Sequence, residues 1–234
     1  MKLSAIQRFT LLDFPGKVAC IAFTPGCDLR CGFCHNPEFV LPERLCAISE
    51  SFISAEHFFR FLEKRQGLLD GVVVSGGEPT AWRDLPDFLD QIRMLGFSVK
   101  LDTNGNNPDM IEQLIAGRLV DYIAMDVKTS LERYRELAGP GVRPEHIKRS
   151  ISLISGSNIE HEFRTTLIRE HHTEPVLAEL SRLLEGVCRL YFQAFRPAQT
   201  LDPAFAQCHG FSMDEMAGLA KRFQTPERQV NVRG

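Results

Sequence analysis

Short β-strand patterns alternate with amphipathic helix patterns along most of the chain, and this alternation constrains the fold more than any other feature. The predicted strands cover residues 17–24, 71–75, 98–102, 122–127, 162–168 and 189–195. The predicted helices cover residues 54–66, 85–95, 107–117, 131–137, 145–154, 174–184 and 213–223. Successive β/α units form a parallel sheet with right-handed crossovers. Because six units are too few for an eight-stranded barrel, we predict an α/β fold with a partial, TIM-like (β/α)6 barrel. An ordinary doubly wound sheet is the alternative, since periodicity alone does not distinguish the two.

Local signals support several helix ends. Ser54 is a candidate N-cap, Pro108 and Gly117 bracket one helix, and Ser212-x-x-Glu215 has the pattern of a capping box. No repeat, low-complexity tract or interdomain linker interrupts the pattern. We therefore predict one domain over residues 1–234, with a core at about 17–197 and a C-terminal helical extension at about 198–234.

Charge and hydropathy exclude several classes of protein. The formal net charge of the 234 residues is −3, which is not the basic footprint of a nucleic-acid-binding domain. No run approaches the ~18 consecutive apolar residues of a membrane span, and the N-terminal residues have no signal-peptide core. We predict a cytoplasmic protein with neither nucleic acid nor membrane as a partner. In a reducing compartment, the crowding of three of its seven cysteines into eight residues favours metal binding over disulfides.

The crowded cysteines are Cys27, Cys31 and Cys34, in a C-x3-C-x2-C pattern directly after the first predicted strand. Thiolates this close in one loop can surround a single metal centre. A four-iron cluster held by three thiolates has one iron open, and the amino and carboxylate groups of an amino acid can chelate that iron. The pattern thus favours an iron–sulfur cluster with a vacant corner.

A structural zinc knuckle with His35 as the fourth ligand is the alternative, which would make the chain a non-catalytic metal-binding module. It is disfavoured because the neighbouring side chains of Cys34 and His35 diverge in extended chain. Cys20, inside the first strand, is predicted to be a small buried hydrophobic residue. The isolated Cys46, Cys188 and Cys208 are assigned no function.

Further motifs identify the sequence family. The triplet is followed by His35-Asn36-Pro37, the second strand ends in Ser75-Gly76-Gly77-Glu78-Pro79, and the chain also contains Asp13-Phe14-Pro15-Gly16 and Asp102-Thr103-Asn104-Gly105. This combination resembles the radical S-adenosylmethionine (SAM) superfamily, and more narrowly its glycyl-radical-enzyme activating enzymes. Within these, residues 9–23 are similar to the activating proteins of anaerobic ribonucleoside-triphosphate reductases.

The resemblance implies a reaction and its cofactors. A [4Fe-4S] cluster on Cys27, Cys31 and Cys34 would cleave SAM reductively to methionine and a 5′-deoxyadenosyl radical, which removes hydrogen from a glycine of a partner glycyl radical enzyme. A flavodoxin or ferredoxin would donate the electron. Because cofactors carry this chemistry, no catalytic side chain is nominated. The alternative within the superfamily is a small-molecule enzyme similar to carboxy-deazaguanine synthase.

Four motifs fall at the C-terminal ends of predicted strands, which is where α/β barrels gather their active sites. They are the cysteine triplet, Gly76-Gly77-Glu78-Pro79, Asp102-Thr103-Asn104-Gly105 and Met125-Asp126-Val127-Lys128. Gly76 and Gly77 either let the backbone approach a ligand or form a tight turn. Arg164, inside a predicted buried strand, needs an anionic partner. By resemblance, the residues that bind the cofactor are Phe33, Gly76, Gly77, Glu78, Asp102, Thr103, Lys128, Arg164 and Gln193.

The resemblance also implies two further sites. Asp102 and Asp126 would coordinate a monovalent cation, which would offset their clustered charge. Asp13 would contact the substrate peptide. Several predicted site residues also have an ordinary structural alternative. Asp13 and Asp102 could be turn formers, and Lys128 could be a solvated surface lysine. Phe33, which by resemblance shields the cluster, could be a packing residue only.

Overall fold

The computed structural model of the protein describes residues 1–34, 36–197 and 200–234. Its strands are β1 (Lys2–Leu3), β2 (Ala5–Thr10), β3 (Ala19–Thr24), β4 (Ile53–Ser54), β5 (Gly71–Gly76), β6 (Ser98–Thr103), β7 (Tyr122–Asp126), β8 (Glu160–Leu167), β9 (Arg189–Ala194) and β10 (Gln229–Arg233). Within these residues the main sheet has eight strands in the order β10-β9-β8-β7-β6-β5-β3-β2, and only the pairing of β2 with β3 is antiparallel. The short β1 and β4 pair separately.

The α-helices are α1 (Pro42–Ile48), α2 (Ala55–Glu63), α3 (Leu85–Met94), α4 (Pro108–Ala116), α5 (Tyr134–Ala138), α6 (Pro144–Ser155), α7 (Glu174–Leu183) and α8 (Met213–Phe223). Short 3-10 helices cover Pro37–Phe39, Ser49–Ser51, Pro79–Ala81, Leu131–Arg133 and Pro203–Gln207. In the described segments, no helix combines the length and apolar character that crossing a bilayer requires.

All six predicted strands are present as β3 and β5–β9, with ends that differ by no more than two residues. The predicted α/β fold with a parallel sheet is confirmed. Predicted caps are present too: the Ser54 hydroxyl accepts from the N–H of His57, and Ser212 forms a capping box with Glu215. The edge strand β2 was not predicted, because its six residues are mostly half-exposed or exposed and lack a buried apolar face.

The two faces of the sheet differ, and this difference favours a partial barrel over a doubly wound sheet. Strand residues such as Cys20, Val72 and Leu101 belong to the large core that contains the buried residues of the helices. Their sequence neighbours point the other way and form a small cluster with Phe14, without any helix residue among its described members. Helices therefore cover one face, whereas a doubly wound sheet carries them on both.

The sequence analysis expected a helical extension after residue 197, but the described part of this segment also contains a strand. Its last strand, β10, pairs in parallel with β9 and extends the sheet. Arg233 at the end of β10 donates two hydrogen bonds to the carboxylate of Glu162, at 2.7 and 2.9 Å, and its guanidinium lies 3.6 Å from the ring centroid of Tyr191. Glu162 is 1% exposed, and the Tyr122 hydroxyl also donates to it at 2.9 Å. The C-terminal strand thus supplies the cation for a buried carboxylate of the sheet.

We expect Arg233→Ala to lower the free energy of unfolding by about 2 kcal/mol, because it leaves the Glu162 carboxylate buried without its charged partner. Urea unfolding measures this loss. Arg222→Ala is the matched control: Arg222 forms the same two-pronged contact with Glu174, but both side chains are more than half exposed. We expect that variant to lose less than about 1 kcal/mol. Equal losses in the two variants would contradict the expectation.

Candidate active site

The three cysteines of the triplet lie in the loop after β3 and line one cavity of about 370 Å³ at the carboxyl ends of the parallel strands. Nearly all the predicted site residues line this same cavity. They are Cys27, Cys31, Phe33, Cys34, Gly76, Gly77, Glu78, Asp102, Thr103, Asp126, Lys128, Arg164 and Gln193. The cavity also has lining residues to which the sequence analysis assigned no role, among them Asn36, Asn104 and Thr166.

Asp13 is the predicted site residue that the structure does not bring to the cavity. It lies in the turn between β2 and β3, where its carboxylate accepts a hydrogen bond from the hydroxyl of Thr10. Thr10 pairs with Ala19, the first residue of β3, so this turn is at the opposite end of β3 from the cysteine loop. A contact of Asp13 with a substrate peptide stays a prediction. His35, the fourth ligand of the zinc alternative, lies outside the described residues.

The backbone of α5 anchors the cysteine loop from one side. The N–H of Arg30 donates to the carbonyl of Ala138 at 2.8 Å, and the N–H of Gly32 donates to the carbonyl of Leu137 at 3.2 Å. The guanidinium of Arg30 donates in turn to the carbonyl of Cys27 at 2.6 Å. These bonds satisfy backbone groups that the loop buries, as a buried loop requires.

A segment that follows the last predicted strand covers the loop from the other side. The N–H groups of Leu201 and Asp202 donate to the carbonyls of Cys34 and Gly32, at 3.1 and 2.9 Å. The ring of Phe205 packs 6.3 Å from the ring of Phe33, and a side chain at Gly32 would overlap Phe205. Phe33 is thus a packing residue of this cover as well as a lining residue of the cavity.

Asp28, between the first two cysteines, joins the cysteine loop to the loop after β6. Its two carboxylate oxygens accept from the side-chain amides of Asn104 at 2.8 Å and Asn106 at 2.7 Å. The Asn104 amide also lies 3.8 Å from the sulfur of Cys27. The sequence analysis assigned no role to Asp28 or to the two asparagines. The signal available to it was a charged residue inside the triplet together with two amides just after a strand end.

Gly76 and Gly77 are required by close packing between two loops. Gly76 has a φ of +113°, in the region that favours glycine. Gly77 donates its N–H to the carbonyl of Thr24 at 2.8 Å, and a Cβ on Gly77 would overlap the carbonyl oxygen of Gly26. The space that the missing side chains leave is therefore filled by the backbone after β3, although both glycines also border the cavity.

Glu78 is buried, and its carboxylate ties the loop after β5 to the loop after β6. It accepts hydrogen bonds from the backbone N–H and hydroxyl of Thr80, from the hydroxyl of Thr103 at 2.7 Å, and from the N–H of Asn104 at 2.7 Å. Burial and the nearby charge of Asp28 raise the pKa of Glu78 to about 7, although these hydrogen bonds oppose the shift. Glu78 and Thr103 are thus partners of each other as well as lining residues.

A chain of ion pairs runs along the inner face of β6, β7 and β8. Arg164 donates to Asp126 at 2.7 Å and lies 3.5 Å from Asp102, while Lys100 pairs with Asp102 and Lys128 lies 3.5 Å from Asp126. Burial opposes ionisation of the two carboxyls and is the largest single effect. The charges of Arg164 and of the neighbouring lysine (Lys100 for Asp102, Lys128 for Asp126), together with hydrogen bonds, outweigh it and hold the pKa of both below the usual range. The anionic partner predicted for Arg164 is therefore present within the chain.

Arg164 occupies the position between Asp102 and Asp126 that the sequence analysis gave to a monovalent cation. Three basic side chains face two carboxylates in this group, which leaves one positive charge in excess. A cation at this place would have to compete with Arg164 for both carboxylates. Lys128 also lies 5.5 Å from the ring centroid of Phe33, and its pKa is raised by Cys31 and Asp126 despite its burial.

The donor set of the cavity fits a [4Fe-4S] cluster with one open iron. Cys27, Cys31 and Cys34 border it, and the described residues that line it include no fourth cysteine and no histidine. Burial raises the pKa of Cys31 to about 11 and that of Cys27 higher still, so binding a metal has to displace the thiol protons. Across residues 1–34, 36–197 and 200–234, no three Cys, His, Asp or Glu side chains converge closely enough for a single metal ion.

The model of the Radical SAM superfamily matches residues 21–182, from β3 through most of α7. The chain belongs to the radical SAM superfamily. The matched residues include every predicted cavity residue except Gln193. The superfamily implies a [4Fe-4S] cluster and SAM as cofactors.

Curated relatives of this radical SAM enzyme include activating enzymes. A Methanocaldococcus jannaschii protein named "Putative glycyl-radical enzyme activating enzyme" is 31% identical over 226 residues, which covers 94% of this chain and 90% of that protein. The pyruvate formate-lyase-activating enzyme of Listeria monocytogenes is 32% identical over 139 residues, with 54% and 53% covered. A 7-carboxy-7-deazaguanine synthase of Methanopyrus kandleri is 28% identical over 218 residues, with 82% and 80% covered.

Solved structures share the fold. Streptococcus suis SuiB bound to precursor peptide SuiA superposes with a TM-score of 0.68 at 17% identity, over 92% of this chain and 48% of SuiB. This chain thus spans about half the length of SuiB. Escherichia coli QueE superposes with a TM-score of 0.58 at 16% identity, over 99% of this chain and 93% of QueE. At such identities the likeness concerns the fold alone.

We expect Gly77→Ala to destabilise the protein by about 2–3 kcal/mol, because the new methyl group overlaps the backbone of the cysteine loop. The same displacement should lower the iron content after reconstitution. Gly218→Ala is the matched control, since Gly218 lies in α8 with nothing within 4 Å of its added Cβ, and it should gain up to about 1 kcal/mol. Thermal unfolding and iron analysis test both, and a Gly77→Ala variant as stable as the wild type would contradict the packing argument.

We expect Glu78 to give the stability of the metal-free protein a pH dependence. Because the pKa of Glu78 rises from 4.5 to about 7 on folding, the protonated carboxyl contributes its full stabilisation of the folded state below about pH 4.5. This stabilisation is lost as the pH rises to about 7. The loss is about 3 kcal/mol. In urea unfolding between pH 4.5 and 8, the free energy of unfolding should fall with pH in the wild type and should fall less steeply in Glu78→Gln. The exposed Glu56→Gln on α2 controls for removal of one carboxylate, and a wild-type slope in Glu78→Gln would refute the assignment.

Proposed function

We propose that this protein activates a glycyl radical enzyme by abstracting hydrogen from one of its glycines. The observation that carries the proposal is the convergence on one cavity of Cys27, Cys31 and Cys34 with the motif residues after the next strands, while the described lining residues include no fourth cysteine. The relative from Methanocaldococcus jannaschii supports it, because the alignment spans nine-tenths of both proteins.

In this proposal the three cysteines hold the cluster, which when reduced supplies the electron that cleaves SAM to methionine and a 5′-deoxyadenosyl radical. The chain's own residues position SAM and exclude water. The excess positive charge of the ion-pair group receives the carboxylate of SAM, with Lys128 and Arg164 closest to the cavity. Gly76, Gly77 and Glu78 border the place of its amino group, while Phe33 and Gln193 border the adenosine. Asp102 and Thr103 complete the polar rim.

For the partner we propose an anaerobic ribonucleoside-triphosphate reductase, with a flavodoxin or ferredoxin as the electron donor. The similarity of residues 9–23 to the activating proteins of these reductases supports the choice. Asp13 lies in that segment, and we propose that it contacts the partner's peptide. A monovalent cation beside Asp102 and Asp126 belongs to the same proposal only if binding of SAM draws Arg164 away from them.

We expect the reconstituted, reduced protein to form 5′-deoxyadenosine from SAM and to produce a glycine-centred EPR doublet in the reductase. With deuterated glycine in the reductase, deuterium should appear in 5′-deoxyadenosine, which identifies the hydrogen donor. Cys34→Ala should lose the cluster and both products, because the cluster loses one of its three thiolates. Cys46→Ala, which changes an exposed cysteine away from the cavity, should retain them.

A second function is favoured by the synthase of Methanopyrus kandleri, which aligns over 82% of this chain. In that case the substrate is a small molecule similar to that of carboxy-deazaguanine synthases. Formation of 5′-deoxyadenosine without an EPR doublet in any glycyl radical enzyme would favour this alternative. One zinc per chain without acid-labile sulfide would instead indicate a non-catalytic module.

A further inference from the structure

The side-chain amide of Asn104 has a fixed orientation toward the cysteine loop. Its oxygen accepts from the backbone N–H of Asn106 at 2.8 Å, so its NH₂ group faces the other way. One N–H reaches the carboxylate of Asp28 at 2.8 Å, and the nitrogen lies 3.8 Å from the sulfur of Cys27. Asn104 is 6% exposed, and burial strengthens such contacts because water does not compete for them.

Cys27 differs from the other two cysteines of the triplet because a side-chain amide lies within hydrogen-bonding distance of its sulfur. Its sulfur also lies 3.4 Å from the backbone nitrogen of Leu29, so two N–H groups point at one sulfur. In the described part of the chain, Asn104 provides the one side-chain amide within hydrogen-bonding distance of a triplet sulfur. Because Asp28 holds the amide in place, the contact is a built feature of the loop.

We propose that Asn104 is a positioning residue that raises the reduction potential of the cluster through a hydrogen bond to the Cys27 sulfur. The inference rests on the proposed function, which makes Cys27 a cluster ligand. Reduction adds one electron to the cluster, and part of the added negative charge resides on the thiolate sulfurs. An N–H directed at a sulfur stabilises the reduced form more than the oxidised form, and such bonds are known to set the potentials of iron–sulfur clusters.

The test is a redox titration of the reconstituted full-length protein without SAM, with dithionite as the reductant, dye mediators and EPR detection of the reduced cluster. We expect Asn104→Leu to reduce the equilibrium constant for one-electron reduction about tenfold, which is a midpoint about 59 mV more negative. Asn106→Leu is the matched control, since Asn106 binds the same Asp28 carboxylate but does not contact a triplet sulfur. It should keep the wild-type midpoint at the same iron and sulfide content.

The outcomes separate the inference from the function on which it rests. An unchanged midpoint in Asn104→Leu, or an equal shift in both variants, overturns the inference while the cluster assignment stands. If Asn104→Leu does not retain the cluster, Asn104→Ala and Asn106→Ala replace the pair, since both remove the amide without adding a charge. A midpoint more negative for Asn104→Ala than for Asn106→Ala then supports the inference, and equal midpoints overturn it. A wild-type protein without a cluster overturns the proposed function and this inference together.

Discussion

Two carboxylates, the buried one of Glu78 and the exposed one of Asp28, connect the loops at the carboxyl ends of β3, β5 and β6, and the shape of the cavity depends on them. Glu78 accepts hydrogen bonds from the loops after β5 and β6, and Asp28 accepts from two amides of the loop after β6. Loops of this kind carry many polar groups, and each needs a partner once water is excluded. By supplying acceptors for several donors at once, Glu78 and Asp28 allow three separate loops to pack as one wall of the site.

The opposite wall is held by charge. Arg164 connects Asp102 and Asp126 across three neighbouring strands, and Lys100 and Lys128 flank them. Such a buried network is stable only if each charge has a partner, because an uncompensated charge costs several kcal/mol. The network is therefore formed before any ligand arrives. Its single excess positive charge gives the cavity a preference for an anionic group without a large rearrangement.

The sequence was sufficient to predict the parallel sheet of β/α units and most of the residues that line the cavity. Parallel strands bring their carboxyl ends to one edge, so motifs after β3, β5, β6 and β7 had to meet. The roles within the cavity were less predictable. Gly77 leaves room for the backbone of Gly26 and Gly76 leaves room for that of Thr24, while the carboxylate partners of Arg164 lie within the chain itself. Both facts depend on distances between loops far apart in sequence, which no local pattern encodes.

Other features that the sequence analysis did not anticipate also depend on pairings that no local pattern encodes. The strand β10 follows a helix at the end of the chain, where its five residues gave no sign of which edge they join. Asp13 was assigned a contact with the substrate peptide by resemblance, and the antiparallel β2–β3 pairing places its turn at the end of β3 away from the cysteine loop. Asp28 was overlooked because its importance comes from two asparagines more than 70 residues away.

The cover formed by Leu201, Asp202 and Phe205 has a consequence for the order of events during synthesis. The cysteine loop leaves the ribosome early, but its cover lies more than 160 residues later in the chain. Contacts of such long sequence separation form late, since the intervening chain must be ordered first. A nascent chain therefore exposes its three thiols to solvent and oxidants until residues 201–205 have been translated.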